Sequence, residues 1–183
     1  MFKNRKEIKQ ILEMNITDAE KRNLIANLRN HKTNVARVIA TNYELDIEEG
    51  QIWDNQGKAT SWTDINDENA DREFTPETSG DIEYILKIEG EVEGYKVQYL
   101  SHERLFNEFY YEQNMDEEEA DDLAYEISND EVYQELMDLL GSDGDMASEA
   151  EILVPAETKL RIKEINDGRE DVGYIEVVLE VVK

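Results

Sequence analysis

Few residues in this chain are of a type and spacing that does chemistry, and they fall in three separated fragments. Glu149 and Glu151 stand one residue apart before the apolar run Ile152-Leu153-Val154. In an extended segment their carboxylates share a face. Arg37 sits inside the β-branched run Val35 to Ala40. A guanidinium there is costly without an anionic partner or a cleft to reach. Ser61 and Thr63 flank Trp62, just past the turn Asn55-Gln56-Gly57, and offer two hydroxyls. Each fragment also has a purely structural reading: Arg37 as an ordinary ion-pair partner, Ser61 as a turn or cap residue, the two glutamates as solvent-facing strand positions.

Other chemistries are excluded by what is missing. There is no cysteine, so disulfides, thiolate metal sites and a cysteine nucleophile are out. His31 and His102 lie far apart in sequence, which disfavours a histidine metal centre or a Ser-His-Asp triad. No Gly-rich phosphate loop, His-Glu-x-x-His or Gly-x-Ser-x-Gly occurs. Gly141 to Asp145 has the composition of a calcium loop without the EF-hand spacing. No metal is expected.

The charge narrows the partners. Over 183 residues, 19 Lys+Arg face 45 Asp+Glu, a formal net charge of −26. That excludes a conventional nucleic-acid binder and disfavours docking on anionic membranes. The charge is uneven: residues 1–37 hold nine basic and four acidic side chains. A basic helical pair docked on an acidic body is the expectation. The first residues lack a continuous apolar stretch, and no run approaches a membrane span, so the protein is expected to be soluble and cytoplasmic. With 39% hydrophobic residues it can bury a core, and one domain over 1–183 is expected.

The elements that must position the three fragments follow from periodicity. Ile8, Ile11 and Leu12 share a helical face. Thr17 and Glu20 form a capping-box signature ahead of a second helix carrying Leu24, Ile25 and Leu28, which ends near Asn30 or His31. These make a helical pair over 1–33. Strands are expected at 35–40, 51–53, 82–88 and 95–99, with a turn at 90–94 and a short helix at 66–74. Residues 102–146 read as an acidic helical insert. Strands at 151–155, 160–165 and 174–182 close the chain, the last expected to be central. The fold class is α+β: N-terminal helices, then a mixed or antiparallel two-sheet β core interrupted by the insert.

The segment Ser148-Glu149-Ala150-Glu151-Ile152-Leu153-Val154-Pro155-Ala156-Glu157-Thr158-Lys159-Leu160-Arg161-Ile162 resembles the C-terminal signature of the ADP-ribosyltransferase exoenzyme family. Upstream, Ser61-Trp62-Thr63 is similar to that family's Ser-Thr-Ser segment, and Ala36-Arg37-Val38 matches the place of its strand arginine. The three occur in the family order. The resemblance covers roughly residues 34–101 and 147–183. It implies an ADP-ribosyltransferase-like core and a mono-ADP-ribosyltransferase using NAD on a protein acceptor. Glu151 would stabilise the positive charge that develops on the ribose as its bond to nicotinamide breaks. Glu149 would engage the acceptor, and in the family a Glu there goes with arginine as the residue modified. Ser61 would position Glu151, and Arg37 would hold a phosphate, with Ser61, Trp62 and Thr63 beside the cofactor. Trp53, Trp62 or Tyr99 would stack on nicotinamide. A phage or mobile-element origin fits such an enzyme. The alternative is an acidic protein that mimics nucleic acid and inhibits a nuclease or other DNA-binding protein, with residues 102–145 as its contact surface.

Overall fold

The computed structural model of the chain describes residues 2–67, 81–97, 100–140 and 150–182. The expected helix at 66–74 lies mostly outside them, as do the Gly141 to Asp145 loop, Tyr99 and Glu149.

Two helices open the chain, α1 (Arg5–Leu12) and α2 (Asp18–Ala26). The capping box is formed: Glu20 N donates to Thr17 Oγ1 at 3.3 Å, and Thr17 N donates to Glu20 Oε2 at 2.9 Å. The chain then enters β1 (His31–Thr33), β2 (Val35–Thr41), β3 (Ile52–Trp53), β4 (Thr60–Asp64), β5 (Ile82–Glu89) and β6 (Val92–Lys96). Next come α3 (His102–Asn107), a π-helical turn at Glu108–Glu112, α4 (Glu117–Ser128) and α5 (Glu131–Leu140). The last strands are β7 (Glu151–Val154), β8 (Leu160–Asp167) and β9 (Ile175–Val181). This is a mixed α+β fold. β6 starts earlier than its alternation suggests, because the turn closes at Gly90 (φ 85°) and Val92 is already buried in the core.

The nine strands are hydrogen-bonded in the order β1-β6-β7-β4-β2-β5-β9-β8-β3. β5 and β9 are parallel, and the remaining neighbours are antiparallel. β9 is flanked by β5 and β8, as its apolar run suggests. β1 and β2 form one run broken only at Asn34. Before Asn34 it pairs with β6; after it, with β4 and β5. The path β1-β6-β7-β4-β2 therefore returns to the segment it left, and this part of the sheet curls into a ring. The β2–β4 ladder is two pairs long, Val35 with Asp64 and Ala36 with Thr63. Beyond Ala36, β2 leaves β4 and continues with β5 alone.

Each face of the ring buries a core. On one side Val35, Trp62, Val92, Ile152 and Val154 cluster with Tyr84, Leu86, Ile162, Val177 and Leu179 from the other half of the sheet. On the other side Tyr95, Val97 and Leu153 meet Ile8, Ile11 and Ile25 of the N-terminal pair and Leu105, Ala120, Leu136 and Leu140 of α3 to α5. The N-terminal pair also docks through charge, as its sequence suggests: Arg5 Nε lies 2.7 Å from Asp130 Oδ2, and Arg22 Nη2 donates to the Leu140 carbonyl at 2.7 Å. Among the described residues, no helix is long and apolar enough to cross a membrane.

Candidate functional site

Glu151 opens β7, and its position follows from register. It pairs with Thr63 on β4, which pairs with Ala36 on β2. Directly opposed residues of antiparallel strands share a face. The hydroxyl directly across from Glu151 is therefore that of Thr63. Ser61 pairs with Leu153, on the same face but two residues along β4, about 7 Å away at strand rise. Both Ser61 and Thr63 are half-buried, and Glu151 is buried. Arg37 is the next residue after Ala36, at the point where β2 departs from β4, and is also half-buried. Burial pulls the Arg37 guanidinium below its ordinary value, and the Glu151 carboxylate opposes that shift. Arginine remains protonated throughout the accessible pH range. Three separated sequence fragments, the outer two more than a hundred residues apart, are thus brought into one neighbourhood.

The structure separates other residues from that neighbourhood. Trp62 is 3% exposed, belongs to the core inside the ring, and donates its indole N–H to Thr60 Oγ1 at 2.8 Å. An indole enclosed by β-sheet side chains is not presented to a ligand. Alternation is the reason: Ser61 and Thr63 turn to one face of β4 and Trp62 to the other. Trp53 packs half-buried against the same core.

The backbone before Glu151 is unusual. Ala150 has φ 53°, a left-handed conformation that costs a non-glycine residue about 1–2 kcal/mol. It is held there, because the Asp64 amide donates to the Ala150 carbonyl at 3.0 Å and the Val97 amide to the Glu151 carbonyl at 3.2 Å.

Beside this junction lies a polar cluster that the sequence reading does not assemble. Asp64 is 2% exposed. Its carboxylate accepts from Thr33 Oγ1 at 2.6 Å, the Asn66 amide at 3.0 Å and Lys96 Nζ at 3.2 Å, and lies 2.9 Å from His31 Nε2. Asn66 Nδ2 donates to Thr33 Oγ1 at 3.0 Å, and Lys96 also pairs with Asp67. Burial acts to raise the Asp64 carboxyl, but the bonds from Thr33, Asn66, His31 and Lys96 outweigh it and hold it below the ordinary carboxylate value. Burial likewise acts to lower Lys96, while Asp67 and Asp64 raise it. These residues come from β1, β4, β6 and the loop after β4, and only ring closure unites them. The one sequence signal is a charged residue, Asp64, ending a short strand.

A separate groove of about 710 Å³ lies between α3 and α4, lined by His102, Glu103, Phe106, Asp116, Glu117, Glu118 and Asp121. His102, Phe106 and Tyr110 stack along α3 and the π-helical turn, with ring centroids 6.5 and 5.4 Å apart.

No protein-family profile matches the sequence, and no curated protein matches it. Two solved structures are similar. One is the type III effector XopAI from Xanthomonas axonopodis pv. citri, in a form lacking 70 N-terminal residues, at 7% identity and TM-score 0.37 over 85% of this chain. The chain spans 46% of that protein's length. The other is C3larvin toxin, an ADP-ribosyltransferase from Paenibacillus larvae, at 11% identity and TM-score 0.43, covering 98% of this chain and 82% of that one.

Proposed function

We propose that this chain is an NAD-dependent mono-ADP-ribosyltransferase acting on a protein acceptor. The observation that carries the reading is the register that sets buried Glu151 across from Thr63 and Ala36, beside the point where β2 leaves β4 and carries Arg37, whose guanidinium feels the Glu151 charge. On this reading the two halves of the curled sheet play the part of two sheets.

The residues present suit NAD in charge and in hydroxyl chemistry. NAD supplies a ribosyl carbon that becomes positive as its bond to nicotinamide breaks. Arg37, a desolvated cation, suits a phosphate through a charge-assisted hydrogen bond. Glu151, a carboxylate withdrawn from water, is suited to stabilise developing positive charge, since its field is not screened there. Thr63 and then Ser61 offer hydroxyls on the same face as Glu151, to orient a ribose. Trp62 has no part in the site on this reading; it holds β4 to the core. Glu149 would meet the acceptor, and an arginine acceptor is favoured by its being a Glu.

Calorimetry with NAD tests the site. Wild type is expected to bind saturably and Arg37→Ala about tenfold or more weakly, the loss of one charge-assisted contact of roughly 1.5–3 kcal/mol. Glu151→Gln is expected to bind NAD yet lose at least about a hundredfold in transfer to lysate proteins. No binding at millimolar NAD ends the enzyme reading.

One observation favours a second reading. The groove between α3 and α4 sets carboxylates of both helices around Phe106. Stacked rings edged by acids suit a basic protein surface, as an inhibitor that mimics nucleic acid would require. Capture of a nuclease at low salt that is released as salt rises, with no NAD binding, favours it.

A further inference from the structure

We propose that Asp64 is a positioning residue that holds the strained Ala150–Glu151 junction in place. The inference rests on the reading of Glu151 given above, and its test separates the two.

The carbonyls of Ala150 and Glu151 are held from opposite sides. Asp64 holds the first with its own amide, and Val97, next to Lys96, holds the second. The Asp64 carboxylate ties those two donors together by binding Lys96 Nζ at 3.2 Å. Lys96 is itself pinned at its backbone, its amide donating to Asn30 Oδ1 at 2.7 Å and its carbonyl accepting from Asn30 Nδ2 at 3.2 Å. Thr33 and His31 anchor the same carboxylate to β1, at the seam where the ring closes. Ala150 gains nothing locally from a left-handed conformation, so without these restraints the junction relaxes toward ordinary extended backbone. Glu151 moves with it. Asp64 therefore works through backbone geometry, at a distance from any reacting atom.

The test uses the full chain with Asp64→Asn, Thr33→Val and Thr33→Ser. Amide hydrogen exchange is followed at residues 64 and 97, with Val177 and Leu179 in the far half of the sheet as internal references. NAD hydrolysis is measured in parallel. Asp64→Asn and Thr33→Val are expected to speed exchange at 64 and 97 about tenfold while 177 and 179 stay unchanged. Where NAD is turned over, kcat is expected to fall up to about a hundredfold with KM unmoved, since a misplacement near 1 Å has that effect. Thr33→Ser, which keeps the hydroxyl, restores both. Uniform acceleration at all four amides, no acceleration at any, or a rise in KM with kcat preserved overturns the proposal. An inactive wild type removes the transferase reading, and the exchange pattern alone then decides the positioning role.

Discussion

Trp62 separates packing from binding most cleanly, because its sequence neighbours suggest a ligand contact and its surroundings are core. At 3% exposure among Val35, Ile152 and Val154, its removal leaves a cavity that a β-sheet ring closes poorly. Truncating a buried Trp to Ala costs about 3–5 kcal/mol. For a chain of 150–250 residues each kcal/mol shifts Tm by about 2–4 °C, so Trp62→Ala is expected to melt roughly 6–20 °C lower. Trp62→Phe keeps most of the volume and loses the hydrogen bond to Thr60, a net effect of about 1–2 kcal/mol. Calorimetric melting measures both. Fluorescence adds an independent check: with Trp53→Phe as background, Trp62 is the sole indole of the chain and is expected to emit blue-shifted and resist acrylamide quenching. A loss under about 1 kcal/mol for Trp62→Ala, joined to readily quenched emission, refutes the core assignment and leaves the indole open to a ligand.

The remaining expectations concern the ring and its charge. Asp64 has a lower carboxyl pKa folded than the ordinary 3.8, so it stabilises the fold above that value and the contribution is lost as pH falls through the folded value. The urea midpoint of wild type should therefore drop on acidification below pH 3.8, and more steeply than that of Asp64→Asn; parallel profiles count against the cluster. Gly94 lets β6 approach β7 closely, and a Cβ there would stand 2.6 Å from the Leu153 carbonyl oxygen. Gly94→Ala is expected to cost about 1–3 kcal/mol in urea unfolding, and an unchanged midpoint would show that the two strands can separate freely.

Local rules made parts of this fold legible in advance. Thr17 and Glu20 announce α2, because a capping box needs only three residues' separation. Val35 to Ala40 and the alternation from Ile82 to Ile88 announce β2 and β5, because β-branching and period two are local properties. β1 was hidden: three residues, one a lysine and one a histidine, carry no period, and only pairing with β6 makes them a strand. Arg37 could be recognised as needing an anionic partner or a cleft, and nothing local says that Glu151 lies near enough to act on it.

The sequence by itself determined most of the helix and strand types, the acid excess, the basic character of the N-terminal pair, and the three fragments fit for chemistry. Each of these depends on neighbours within a few residues or on composition. Tertiary structure alone decided that Thr63 stands nearest Glu151 in register, that Trp62 is core, and that Asp64, His31, Thr33 and Lys96 meet. Register and ring closure pair residues from distant segments. A shift of one residue reverses which side chains share a face, and local preference carries no record of that choice.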